Sequence, residues 1–421
     1  MRLRFPDGFW WGAATAATQA EGALRDGDRA DSIWDRFCHR PGTIHDGSLT
    51  APAADHLHRF EADVALLTNL SLGVYRFSIA WSRILPAGRG RVDTSGLAVY
   101  DRLVDTLLDA GVAPMATLYH WDLPQRLQDD GGWIARRTAF DFGDYAGVVV
   151  DRLGDRVGTW LTVEQPLVAA HRGHRIGDHA PGVQNHDAAL AAAHHLLLGH
   201  GLAADQIRSR VSRARVGIVA ASTVDHGSPL GDEWYLDALS GRGYPDLGTL
   251  GALPPDLVHP GDLDRIAASI DVLGVTHHYP TPPRSPTASD RHVDGAEPSL
   301  GASDDTLFDL LSSLADRAIA PSLFVTAALA PVSGPTAAGL HDGERVAGLR
   351  QACAQVHRAL RRGAPVEGLA VWSLLDGFDF AEGSASRRGL YSVDPVSLDR
   401  TARDSAAWLS QVANDHVVVV D

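Results

Sequence analysis

Side chains able to do chemistry recur at intervals along this 421-residue chain: Gln19, Arg76, His120, Glu164 beside Gln165, His277 beside His278, and the run from Trp372 to Asp379. Carboxylates and amides can grip vicinal hydroxyls in bidentate fashion, and an indole face can stack on C–H groups. Glu164 is a potential base. His278 offers an imidazole that ordinarily titrates near neutrality and so suits acid/base work, with a core or packing role as the other reading. Arg76 suits an anionic group or a developing charge. Paired histidines also suggest a metal, but no third ligand stands at a diagnostic spacing, so no metal is expected. Every one of the 37 basic residues is arginine, which excludes Schiff-base chemistry and a lysine-held pyridoxal cofactor. No cofactor is expected.

Each of these residues follows a short apolar or β-branched run. Such runs alternate eight times with helix-length amphipathic segments, the pattern of a parallel sheet with crossover helices. The pattern predicts strands at Trp11–Thr15, Val74–Ser78, Ala113–Leu118, Thr159–Val163, Val216–Ala221, Val272–Thr276, Leu323–Thr326 and Leu369–Ser373. It predicts helices over Asp55–Asn69, Ser95–Ala110, Thr138–Leu153, Asp187–Arg210, Asp304–Ala318 and Gly343–Arg362. In a (β/α)8 barrel all the strand ends open on the face that houses active sites, so the polar residues are expected to converge there. Length alone would suggest two or three domains, but barrels of this kind run this long as one, and residues 1–421 are read as a single domain. The Pro- and Ser-rich stretch Pro280–Ala302 is a mobile lid or a tolerated loop insertion. The terminal Val417–Val420 is expected to pair or pack.

The net charge of −15 favours solubility and disfavours nucleic acid and anionic membranes as partners. No run reaches 18 apolar residues, and the N-terminus shows no apolar signal core, so a cytoplasmic protein is expected. Cys38 and Cys353 stand alone and far apart, as reduced core thiols would.

Several segments resemble one family. Phe5-Pro6-Asp7-Gly8-Phe9-Trp10-Trp11-Gly12, Tyr75-Arg76-Phe77-Ser78, Tyr119-His120-Trp121-Asp122-Leu123-Pro124 and Trp372-Ser373-Leu374-Leu375-Asp376-Gly377-Phe378-Asp379-Phe380 are similar, in order, to blocks of the family 1 retaining β-glycosidases. Thr162-Val163-Glu164-Gln165-Pro166 resembles the family's T-x-N-E-P, and Val325-Thr326-Ala327-Ala328-Leu329 its V-T-E-N-G. The resemblance implies an α/β fold of one (β/α)8 TIM barrel and a sugar subsite lined by Gln19, His120, Trp121, Gln165 and Trp372. Asp379 would stand where the family uses a Glu on the outer hydroxyls. It also puts Gln165 at the position of the family's acid/base and Ala327 at that of its nucleophile. A retaining glycosidase needs two carboxyl groups about 5–5.5 Å apart, and neither an amide nor a methyl replaces one.

Further departures fall in the same place. Glu164 replaces an Asn that holds the sugar 2-hydroxyl, His278 a Tyr, Gly377 an Asn and Phe380 a Trp. Arg76, losing the family's nucleophile as its neighbour, would take Glu164 as a counter-ion. Three readings stay open. One is a repurposed enzyme acting on a glycoside or sugar-like small molecule by proton transfer, with Glu164, His120 and His278 as candidates. The others are a binding or regulatory pseudoenzyme and a residual glycosidase or transglycosidase. The oligomeric state is not legible.

Overall fold

The computed structural model describes residues 1–223, 231–246, 253–278, 305–329 and 340–420. The stretch Pro280–Ala302, read above as a lid or insertion, lies outside them. Eight parallel strands close into a barrel in chain order: β1 (Trp10–Ala14), β2 (Val74–Ser78), β3 (Ala113–Tyr119), β4 (Thr159–Glu164), β5 (Arg215–Ser222), β6 (Val272–His278), β7 (Ser322–Leu329) and β8 (Val366–Trp372). β8 pairs back onto β1 with Ala14 opposite Trp372, which completes the ring. The expected single (β/α)8 barrel is the observed fold.

Along each strand the side chains alternate between two environments. Ala14, Val74, Met115, Leu161, Val219, Val272, Phe324 and Ala370 pack with one another inside the barrel. Tyr75, Phe77, Ala116, Trp160, Ile218 and Val325 instead join the layer between strands and helices. Continuous apolar strands of this kind are what a parallel sheet covered on its outside demands. The covering helices are α1 (His56–Asn69), α2 (Thr94–Asp109), α3 (Arg137–Leu153), α4 (His186–Arg210), α5 (Gly231–Leu239), α6 (Thr306–Arg317), α7 (Gly343–Arg362) and α8 (Asp404–Asp415). Asp93 and Asn185 start two of them by accepting hydrogen bonds from Ser95 N–H and Ala188 N–H, which gives orphaned first-turn donors a partner.

Two tethers hold the C-terminal end of β8 in register with the rest. Arg345 on α7 is fully buried and donates to the carbonyls of Trp372 and Gly389. Asp376, in the loop that follows, accepts from Arg403 at 2.7 Å and from Gly389 N–H at 2.8 Å. The terminal segment pairs, as expected: Val417–Val419 runs antiparallel to Arg2–Arg4. Cys38 and Cys353 are free, buried thiols. No helix among the described residues is long and apolar enough to cross a membrane.

Candidate active site

Arg76 lies in the middle of β2, facing the barrel interior between Ala14 and Met115. Its guanidinium is held on three sides. Nε donates to Thr117 Oγ1 at 3.0 Å, Nη1 to the Thr326 carbonyl at 3.3 Å, and Nη2 to a carboxylate oxygen of Glu164. Both members of that ion pair are buried, with side-chain exposures of 1% and 4%. The sequence expectation that Glu164 would become the counter-ion of Arg76 describes the observed contact. Thr326 immediately precedes Ala327, so the guanidinium spans the mouth from β4 to β7.

A bulge aims Glu164. The pairing of β4 with β5 slips between Leu161 and Glu164, and bulges of this kind redirect side chains beside functional sites. Trp121 Nε1 donates to the Glu164 carbonyl at 2.8 Å and pins the strand end. The next residue, Gln165, turns the chain at φ 35°, a left-handed conformation that a non-glycine residue adopts only when its surroundings enforce it. Its backbone N–H donates to the Val219 carbonyl at 2.8 Å, while its side-chain amide nitrogen is buried without a protein partner.

Burial raises the Glu164 carboxyl above the ordinary carboxylate range. The Arg76 guanidinium and the Thr276 hydroxyl pull the other way without cancelling that effect. Burial, and then the Arg76 charge, hold His120 well below the usual imidazole range. His120 is therefore neutral at pH 7, with its ring 5.5 Å from that of Trp372, roughly stacked, and 5.2 Å from that of Trp121. Its Nδ1 is buried and has no protein partner.

A recess with about 310 Å³ of free space, part of it open to solvent, is walled by Thr15, Gln19, Trp372, Gly377, Asp379 and Arg388. Gln19 is oriented by donating to the Phe378 carbonyl at 2.8 Å. Asp379 is held from two directions. One oxygen accepts from the N–H groups of Ala381 and Glu382 at 2.9 and 3.0 Å, and the other lies 3.2 Å from Arg388. Burial pushes its carboxyl up, but Arg388 and those N–H groups outweigh burial and leave it below the usual range. Asp379 is thus ionised and already paired.

The sequence had singled out Asp379 but not Arg388. No signal in Arg387-Arg388 distinguishes the arginine that turns to the recess from its neighbour. Thr117 and Thr326, which hold the Arg76 guanidinium, also escaped notice, since threonine in a strand is ordinary.

His278 closes β6, half-buried, and its backbone N–H donates to Thr223 Oγ1 at 3.0 Å. The neighbouring His277 is buried and pushed down to about 4, so it is neutral at pH 7. Between β6 and β7, Thr276 stands opposite Ala327 and His278 opposite Leu329. Ala327 itself packs with Ala16 and Trp372 in the interior layer. Among the described residues no three His, Cys, Asp or Glu side chains gather as metal ligands would.

Comparison with known proteins fits this geometry. The sequence profile of glycosyl hydrolase family 1 matches residues 1–236 and 261–418. Thermostable β-glucosidase B of Thermobispora bispora is 40% identical over 441 residues, covering 97% of this chain and 90% of that protein. A bifunctional β-D-glucosidase/β-D-fucosidase of Bifidobacterium breve is 37% identical, with 99% of each chain covered. The solved family 1 β-glucosidase of Thermotoga maritima superposes with a TM-score of 0.87 at 32% identity, covering 100% of this chain and 99% of that one. A β-glucosidase from Thermotoga maritima solved in complex with deoxynojirimycin is similarly alike (TM-score 0.87, 33% identity, 98% and 99% covered). A closed eight-stranded barrel, a polar mouth at the strand ends and likeness over nearly the full length agree: the chain belongs to glycosyl hydrolase family 1.

Proposed function

We propose that this family 1 barrel, acting as one unit over residues 1–421, binds a glycoside or sugar-like small molecule and acts on it by proton transfer at Glu164. The double displacement that needs two carboxylates plays no part. The buried Arg76–Glu164 pair carries this reading. Gln165 and Ala327 stand at the positions that the family resemblance gives to the acid/base and the nucleophile. An amide there cannot deliver a proton and a methyl cannot attack. The carboxyl that remains at this point is Glu164, and burial raises it toward the range in which a general acid or base works best.

Gln19, Trp121, Gln165, Trp372 and Asp379 hold the ligand, and His120 supplies a neutral hydrogen-bonding ring. Arg76 steadies negative charge, and His278 is the second candidate proton carrier. A Thermotoga maritima relative has been solved with deoxynojirimycin, which supports a sugar-shaped ligand here. A second reading, binding without turnover, draws support from the arginines that already hold Glu164 and Asp379.

The test is a panel of glycosides incubated with purified protein and followed by mass spectrometry, alongside calorimetric titration with deoxynojirimycin. Turnover that disappears in Glu164→Gln while sugar binding persists supports the enzyme. Saturable binding with no turnover supports the second reading. Absence of binding across the panel contradicts both.

A further inference from the structure

Arg76 is oriented by more than its counter-ion. Thr117 Oγ1 and the Thr326 carbonyl take Nε and Nη1, and both are neutral, so they fix the plane of the guanidinium without cancelling its charge. Among the described residues Glu164 alone neutralises it, through Nη2. If Glu164 leaves, the cation stays aimed at the same point. Two more buried polar atoms lack a protein partner: the side-chain amide nitrogen of Gln165, the residue that follows Glu164, and Nδ1 of His120, whose ring feels the Arg76 charge; both residues are at least nine-tenths buried. The amide is a donor. The His120 ring, neutral beside a guanidinium, donates from Nδ1 in one of its two tautomers. One cation and two unused donors thus lie on residues beside a carboxylate that burial disfavours. A neutral sugar leaves the ion pair closed.

We infer that the floor of the mouth is an anion-for-proton exchange site, at which the carboxylate of a sugar acid displaces Glu164 from Arg76 while Glu164 takes up one proton from solvent. This rests on the reading of the mouth as a sugar site. The exchange balances: one negative charge enters with the ligand, and one is removed by protonation of Glu164. The ligand carboxylate keeps the guanidinium paired and accepts from Gln165 and His120. Glu164 becomes a neutral acid, the form that burial favours. The groups around it are Arg76 on β2, His120 after β3 across the guanidinium, the adjoining Gln165, and Thr276 on β6, with His278 two residues further along that strand. The ligand class is a pyranose bearing a carboxylate at its anomeric carbon, so that the ring hydroxyls reach Gln19 and Trp372.

The experiment is calorimetric titration of the full chain with β-D-glucopyranosyl formate and with its neutral isostere, β-D-glucopyranosyl formamide. Titrations are run at about pH 6 and about pH 8, in two buffers of different ionisation enthalpy. The formate is expected to bind at least about tenfold tighter at the lower pH, within the limit of about tenfold per pH unit that one linked proton sets. About one proton should be taken up per ligand. The formamide should bind equally at both pH values and take up none.

In Glu164→Gln the pH dependence should vanish and formate affinity at the higher pH should rise; Arg76→Met should lose the preference for formate over formamide. Thermal unfolding of each variant confirms that it is folded, and if one is not, the proton count of the unaltered protein decides. If the formamide binds but the formate binds no better and takes up no proton, the exchange is wrong and the sugar site stands. If neither binds, both readings fall.

Discussion

At the residue scale, Arg76 and its buried counter-ion organise the mouth. Ala327 gives the guanidinium no partner, and Glu164, carried in on β4 by a bulge, takes that place. This much was legible from residue types, because a buried arginine without a counter-ion costs about 3–5 kcal/mol and the carboxylate had to come from a nearby strand end. The pairing of Asp379 with Arg388 was not legible. It depends on how the loop after β8 folds back, and two adjacent arginines look alike in a sequence. A double-mutant cycle measures the first pair. Glu164→Gln is expected to destabilise the protein by at least about 1 kcal/mol, and Arg76→Met in that background to recover part of the loss. Urea unfolding of the four proteins reads the coupling energy, and a value indistinguishable from zero would mean that the contact stabilises nothing.

At the scale of elements, the strands were readable because a parallel barrel buries them on both faces and leaves apolar runs behind. Their ends were not. β6 extends past its apolar run to His277 and His278 because they keep pairing with Ala328 and Leu329 of β7, which itself runs on to Leu329, three residues beyond the predicted end. β1 and β8 each end one residue before the predicted end: Thr15 N–H still donates to the Arg76 carbonyl of β2 at 2.9 Å, whereas Ser373 N–H turns to the Arg388 carbonyl in the loop after β8 at 2.8 Å. Gly377 shows a similar blind spot. In the sequence it reads as the loss of an asparagine. In the fold, a Cβ there would sit 2.1 Å from the Gln19 carbonyl, while the next residue, Phe378, donates its N–H to that same carbonyl at 2.8 Å. The loop after β8 and the helical turn of Gln19 are thus in backbone contact, and only glycine permits it. Gly377→Ala should cost about 1–3 kcal/mol by overpacking and weaken sugar binding by displacing Gln19. Thermal unfolding with ligand titration checks this, and an unchanged protein would show that the contact is not as tight as described.

At the scale of the whole molecule, charge is managed with arginine alone, and the buried ionisable groups set the pH response. Asp122, on the same loop as His120 and Trp121, is 1% exposed and has no protein partner for either oxygen. Burial pushes its carboxyl up to about 7. The sign follows from linkage: the folded protein holds a proton that the unfolded chain releases. The stability this confers is present below the ordinary carboxylate range and lost as pH rises through about 7. Urea unfolding is expected to show stability falling by up to about 1.4 kcal/mol per pH unit between mildly acidic and neutral pH. Asp122→Asn should flatten that slope, and an identical slope in the variant would place the proton elsewhere. The fold was legible, and with it the expectation that strand-end residues such as Arg76 and Glu164 would meet, since such residues in a barrel converge wherever the loops go. The protonation states were not, because they depend on burial that no spacing reveals.

The account turns on the absence of a two-carboxylate displacement at this mouth, and aryl β-glycoside turnover tests that most directly. Nitrophenyl β-glucoside, β-galactoside and β-fucoside should be assayed with highly purified protein. General acid catalysis alone contributes about 10²–10⁴-fold, and on the proposed reading the covalent route lacks its nucleophile as well. Rates well below about one per second are therefore expected, and Gln165→Glu with Ala327→Glu should not raise them to that level, because Glu164 would crowd the restored acid. Turnover of about one per second or faster in the unaltered protein, lost on substituting residues of the mouth, would contradict the account.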